Sequence, residues 1–213
     1  MTWLARLMSL FPTIALVAMA SALLAFVHHP SWLTAAAAVY FIYGFPLTIF
    51  RLHSRFFPAQ EGISRLNGKD YSPWWGAHQI QLIYSALPVF EVILKLIPGA
   101  FSLWLRGWGS RVGKGVYWTP QVEIMDRDRM RIGDHVIFGH RVLCSAHIIK
   151  KKSDRIVLYV RKVEMGENSF IGAGSHLGPG IKVASGVFVP IQTDLYPNES
   201  FDPEGAHEAQ TIS

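Results

Sequence analysis

From Ile132 to Thr193 an apolar residue returns every six positions. One block reads Ile132-Gly133, Phe138-Gly139 and Cys144-Ser145. A second reads Met165-Gly166, Ile171-Gly172, Leu177-Gly178, Val183-Ala184 and Val189-Pro190. Four places after each apolar residue stands a compact or aliphatic one, such as Val136, Val142, Ser169, Ser175, Ile181 and Val187. A weaker run at Val112, Trp118 and Ile124 precedes both blocks and slips by two residues before Ile132. Units this short cannot bury a face alone, so they stack, and a six-residue period predicts a parallel β-helix. The aliphatic residue of each unit should fill the core, and Gly at the following corner should admit backbone angles that a Cβ opposes.

The amino-terminal half follows a different pattern. Residues 7–27 and 33–50 carry no charged side chain, and each is close to the ~20 residues that cross a hydrocarbon core. The two stretches predict an α-helical transmembrane hairpin turning at His28-His29-Pro30-Ser31-Trp32. Arg6 precedes it and Arg51, Arg55, Arg65 and Lys69 follow it, while the turn holds no Lys or Arg. That bias puts both ends in the cytoplasm, at an inner membrane. A cleaved signal peptide is the competing reading of the first stretch, and the immediate second stretch argues against it. Residues 81–105 are apolar but broken by Pro88 and Pro98. They read as interfacial helices with Glu91 and Lys95 at a polar edge. The predicted organisation is a membrane anchor over 1–106, a β-helix over 107–198 and a disordered acidic tail over 199–213.

Between about His147 and Lys162 the six-residue period is lost, and Lys150, Lys151, Lys152, Arg155, Arg161 and Lys162 gather there. A charged insertion thrown out of a regular solenoid is a place for function. Its opening, Leu143-Cys144-Ser145-Ala146-His147, resembles that of the hexapeptide-repeat acyltransferases, the sugar and exopolysaccharide O-acetyltransferases among them. Phe170-Ile171-Gly172-Ala173-Gly174-Ser175 and the exit Thr193-Asp194-Leu195-Tyr196-Pro197-Asn198 carry the same resemblance over roughly residues 110–198. The resemblance implies a left-handed β-helix, a homotrimer, acetyl-CoA or another acyl-CoA lying between subunits, and His147 as general base. It also implies pantetheine along Gly172, Ala173, Gly174 and Ser175, with Lys182 as a weaker candidate for the nucleotide phosphates. Ser145, His140 and His176 are candidates for supporting roles.

The chemistry agrees with that assignment. Acyl transfer to an alcohol needs a base that is neutral near pH 7, and imidazole supplies one. No acidic partner for His147 is evident in the sequence around it. Cys144 is the only cysteine, so no intramolecular disulfide forms, and at an inward repeat position it reads as a packed thiol rather than a nucleophile. A zinc site of the kind found in the γ-class carbonic anhydrases does not match the spacing of His140 and His147. Half of the 213 residues are hydrophobic, 16% are charged and the net charge is +5. The cations flank apolar stretches or sit in the insertion without interleaved base-stacking residues, which favours anionic lipid, CoA phosphates or an anionic acceptor over nucleic acid. The expected function is acyl transfer to a hydroxyl of a lipid-linked sugar, glycolipid or hydroxylated lipid. An acyl-carrier-protein-dependent lipid acyltransferase and a non-catalytic trimeric scaffold for a polysaccharide synthase are the alternatives.

Overall fold

The computed structural model describes residues 2–153, 155–202 and 207–209. They form two compact units, one from residues 2–60 with 66–90, the other from 61–65 with Glu91 onward.

In the first unit, two helical runs are long and apolar enough to cross a membrane, Trp3–His28 and Trp32–Phe56. Their apolar side chains face outward: Val17 is 59% exposed, Leu24 58% and Val27 72%. Ser31 caps the second run, its hydroxyl accepting the Thr34 N–H while the Thr34 hydroxyl accepts the Ser31 N–H. Within that run, Tyr40–Gly44 widens to a π-helical turn. Pro46 has no N–H to give the Ile42 carbonyl one turn back, and the Tyr84 hydroxyl donates to that oxygen at 2.6 Å. Tyr84 lies on a third helix, Pro73–Ala86, which buries Trp74, Ala77, Ile80 and Ile83. The Tyr84 side chain thus supplies a bond that the Pro46 backbone cannot.

The second unit is a parallel β-helix of four complete coils and the first strand of a fifth. Three stacked sheets make its faces. The first face stacks Arg111–Val112, Met130–Ile132, Val163–Met165, Lys182–Val183 and Glu199–Phe201. The second stacks Tyr117–Trp118, Ile137–Phe138, Phe170–Ile171 and Phe188–Val189, and the third Glu123–Ile124, Leu143–Cys144, His176–Leu177 and Asp194–Leu195. Each strand turns at least one apolar residue inward, and Ile171, Leu177, Val189, Phe138 and Cys144 are all at most 1% exposed.

The corners obey a different rule from the one the sequence suggests. Gly133 and Gly172 do not adopt left-handed angles. They are glycine because a Cβ would lie 2.4 Å from the Glu167 nitrogen and from the Pro190 carbonyl carbon, respectively, in the next coil. Positive φ falls two residues later, at His135, Arg141, Asn168, Gly174, Gly180 and Gln192. Stacked backbones at the first corner position leave no room for a side chain, and the reversal itself is carried by the residue beyond.

Two expectations are corrected here. Glu91 does not sit at the polar edge of an interfacial helix: it is 3% exposed, and both its oxygens accept hydrogen bonds from Arg127, at 2.6 and 3.0 Å. Lys95 turns instead to the coil, its ammonium donating to the Val122 carbonyl at 2.5 Å and stacking 4.5 Å from the Phe101 ring. The helix Ala100–Trp108 covers the first coil, with Phe101 edge-on to Trp118 at 4.9 Å and the Trp118 indole donating to Ser102. An open solenoid end exposes its apolar core, and these helices cap it. The tail is likewise not wholly irregular. Glu199–Phe201 continues the first face with Phe201 buried, and His207–Ala209 pairs with it antiparallel. Residues 203–206 and 210–213 of the expected tail lie outside the described residues.

Candidate active site

The insertion is a β-hairpin rather than an irregular loop. The chain leaves the third face after Cys144, runs out as His147–Lys152 and returns as Arg155–Val160, with Gly62–Arg65 as a third antiparallel strand. The Arg161 N–H donates to the Ala146 carbonyl at 2.9 Å and closes the root, after which Val163 resumes the stack above Met130. His147 is therefore the first residue of the hairpin and sits where a regular wall ends.

The two-residue slip before Ile132 supplies its partner. Regular coils here are eighteen residues long, as the pairing of Met165 with Val183 shows, but twenty residues separate Ile124 from its partner Cys144. The extra length lies in Asp126-Arg127-Asp128-Arg129, of which Asp126, Arg127 and Arg129 are buried. Arg127 is paired with Glu91, whose carboxylate also accepts from the Trp104 indole at 3.3 Å. Asp126 points to the hairpin root: its Oδ2 accepts the Ala146 N–H at 2.9 Å and lies 2.7 Å from His147 Nδ1. An ionised carboxylate can only accept, so in this contact the Nδ1 of His147 is the donor. With side-chain exposures of 14% for His147 and 2% for Asp126, the contact is largely shielded from water.

His147 lines a groove of about 290 Å³ on the third face, together with Ser145, His176, Gly178, Asp194 and Tyr196. The groove holds a second histidine–aspartate pair, His176 Nδ1 to Asp194 Oδ1 at 2.8 Å, and this one is open, with side-chain exposures of 60% and 58%. Ser145 turns inward on its own loop, its hydroxyl donating to the His147 carbonyl at 2.9 Å. His140 is exposed at the corner between the second and third faces and does not line the groove. Gly172, Ala173, Gly174 and Ser175 form that same corner one coil later, the Gly174 N–H donating to the His140 carbonyl at 2.8 Å. Ser175 is fully buried, its hydroxyl donating to the Pro190 carbonyl and accepting the Thr193 N–H. Lys182 is exposed on the first face, beside a separate groove of about 410 Å³ that also takes in Arg131 and Glu164. Cys144 is fully buried, and burial pushes its thiol up to about 12, which leaves it protonated and packed.

The structure thus brings His147 and His176 together, leaves His140 outside, and adds Asp126, Glu91 and Arg127, to which sequence reasoning gave no place in the site. The slip in period was the visible trace of Asp126: two surplus residues, four consecutive charges, and a position next to the core.

No protein-family model matches the chain. Over 150 residues, 64% of its length, it is 25% identical to "Putative acetyltransferase YvoF" of Bacillus subtilis, 83% of which is covered. Among solved structures, a hexapeptide-repeat-containing acetyltransferase of Vibrio cholerae aligns with 61% of the chain and 93% of its own, at 14% identity and a TM-score of 0.40. A galactoside acetyltransferase in complex with coenzyme A aligns with 57% and 79%, at 12% identity and a TM-score of 0.34. The stacked six-residue units and the Bacillus relative make the chain similar to the hexapeptide-repeat acetyltransferases.

Proposed function

We propose that this protein is a membrane-anchored O-acyltransferase that moves an acetyl group from acetyl-CoA to a hydroxyl of a lipid-linked sugar, glycolipid or hydroxylated lipid. The observation that carries the reading is the buried Asp126–His147 pair at the edge of the third-face groove. Asp126 fixes the tautomer, and Nε2 of His147 takes the proton of the acceptor hydroxyl as its oxygen attacks the thioester carbonyl. The imidazolium that forms is stabilised by the Asp126 carboxylate. As the tetrahedral intermediate collapses, the C–S bond breaks and Nε2 returns the proton to the CoA thiolate. The donor is the acetyl-CoA that the family uses. In a homotrimer a neighbouring subunit would close the groove, while the candidate pantetheine contacts Gly172, Ala173 and Gly174 lie at the adjoining corner and Lys182, the candidate for the phosphates, on the first face beside its own groove.

The two apolar helical runs, with outward Val17, Leu24 and Val27, support a membrane address, and the placement of Lys and Arg supports a cytoplasmic active site. A soluble acceptor would call for no such address, so the acceptor is read as lipid-borne. The test is to incubate the purified full-length enzyme in detergent or nanodiscs with labelled acetyl-CoA and a lipid extract, beside a panel of soluble sugars. Label in the lipid fraction, lost in His147→Ala, is the expected result; label in the soluble sugars alone would overturn the acceptor class.

A further inference from the structure

The hairpin that begins at His147 carries more than the base. Paired residues of an antiparallel ladder share a face, so the register puts Arg65, Lys150 and Ile63 on one side of the three-stranded sheet, with Lys152 and Arg155 beyond them. Ile149, Lys151 and Ile156 lie on the other. The four cations Lys150, Lys151, Lys152 and Arg155 are exposed, as is Arg65. So are the isoleucines among them, Ile63 at 55%, Ile149 at 45% and Ile156 at 37%. The root is different: Leu158, Tyr159 and Val160 are buried, and the Tyr159 hydroxyl and Arg161 both bond Asn198, which anchors the hairpin to the fourth coil. A rigid root thus presents an outer half built from cations and isolated aliphatic side chains.

Ile156 lies near the tip and Ile149 and Ile63 nearer the root, all exposed beside these cations, and that combination is the composition of a surface that enters a headgroup layer. The covalent chain adds a second observation. Residues 57–61 alone connect Phe56, the end of the second apolar run, to Gly62 at the hairpin's edge, a reach of at most about 20 Å when fully extended.

We propose that the hairpin 147–160, with strand Gly62–Arg65, docks on the anionic headgroups of the leaflet at which both ends of the anchor emerge. The inference rests on the membrane-anchored reading given above and deepens it. The cations meet lipid phosphates, Ile149 and Ile156 on one face reach the acyl boundary, and His147, as the first residue of the same strand, is held at a fixed short distance from the layer where a lipid-borne hydroxyl resides.

The experiment uses the full-length chain in nanodiscs of phosphatidylcholine, with or without phosphatidylglycerol. Cys144 is buried, so Ser153→Cys offers a single reactive thiol at the tip for an environment-sensitive fluorophore. The expected result is a blue-shifted emission, quenched by spin-labelled lipid, in the anionic discs only. Both signals should disappear in the variant carrying Lys150→Gln, Lys151→Gln and Lys152→Gln, and at 1 M salt, where screening acts within about 3 Å. Identical emission in both discs would overturn the proposal. So would a probe that ignores phosphatidylglycerol but responds to an added acidic acyl-carrier protein, which would make the partner a protein. A chain that does not stay in discs at all sinks the anchoring reading and this one together. A chain retained in discs with its probe in water sinks this one alone.

Discussion

Asp126, set in the first coil by a two-residue surplus, holds the Nδ1 of His147 at 2.7 Å across a turn of the β-helix. The same carboxylate oxygen accepts the Ala146 N–H, so one buried group fixes both the hairpin root and the imidazole tautomer.

Asp126→Asn tests that relationship. An amide can present its NH₂ to Nδ1 and stabilise the wrong tautomer without changing the shape of the site. Turnover should fall by about 10²- to 10⁴-fold, with secondary structure unchanged by circular dichroism. Activity within a few fold of wild type would make Asp126 a packing residue.

Among the histidines the order of damage should follow the groove. His147→Ala should lose at least ~100-fold in turnover. His176→Ala, in the groove but exposed, should lose less, and His140→Ala, outside it, should leave turnover close to wild type. Steady-state kinetics on the three variants checks this, and a larger loss at His140 than at His147 would move the base.

The Glu91–Arg127 pair clamps the capping helices to the insertion that bears Asp126, and its charges are nearly fully buried. Removing one partner leaves an uncompensated buried charge, at about 3–5 kcal/mol. Glu91→Gln should therefore lower the thermal midpoint clearly, while Glu91→Leu with Arg127→Met should recover most of the loss. A fragment that starts at Gly107 lacks Glu91, Phe101 and Trp104 together and should aggregate.

Lys95 gives a pH dependence of definite sign. Burial, reinforced by Arg127 and opposed by Glu91, lowers its pKa to about 8 from 10.5. Between those values the unfolded chain holds a proton that the folded chain has released, so this group makes stability rise with pH. Cys144 acts in the opposite direction above its ordinary value of 9, because its folded pKa is about 12. The thermal midpoint of wild type relative to Lys95→Met should therefore climb from pH 8 upward, a comparison in which Cys144 cancels. A flat difference would mean that Lys95 is solvated.

Topology is tested by reporter fusions. A fusion after His28 should read as periplasmic, and fusions near Gln60 and after Ser213 as cytoplasmic. A periplasmic reading at Ser213 would separate the coils from cytosolic CoA.

The period of six dictated the stacked coils by itself, because a solenoid repeats one local environment: Ile132, Met165, Ile171, Leu177 and Val183 need only neighbours of their own kind to be buried. Length and charge likewise marked the two apolar runs, since the condition for spanning hydrocarbon is local in sequence. The inward place of Cys144 followed from the same arithmetic. What the sequence could not reveal depends on non-periodic contacts between distant positions. Glu91 and Lys95 are four apart and look like a surface pair, yet Arg127, thirty-six residues on, takes the carboxylate once the helices cap the coil. Gly62–Arg65 joins a hairpin almost a hundred residues later in the chain. Asp126 was visible only as a fault in the repeat, and it became a candidate for orienting His147 when stacking laid one coil on the next. The repeat set the scaffold through local chemistry; the interruptions acquired their partners, and the site its electrostatics, only through the fold.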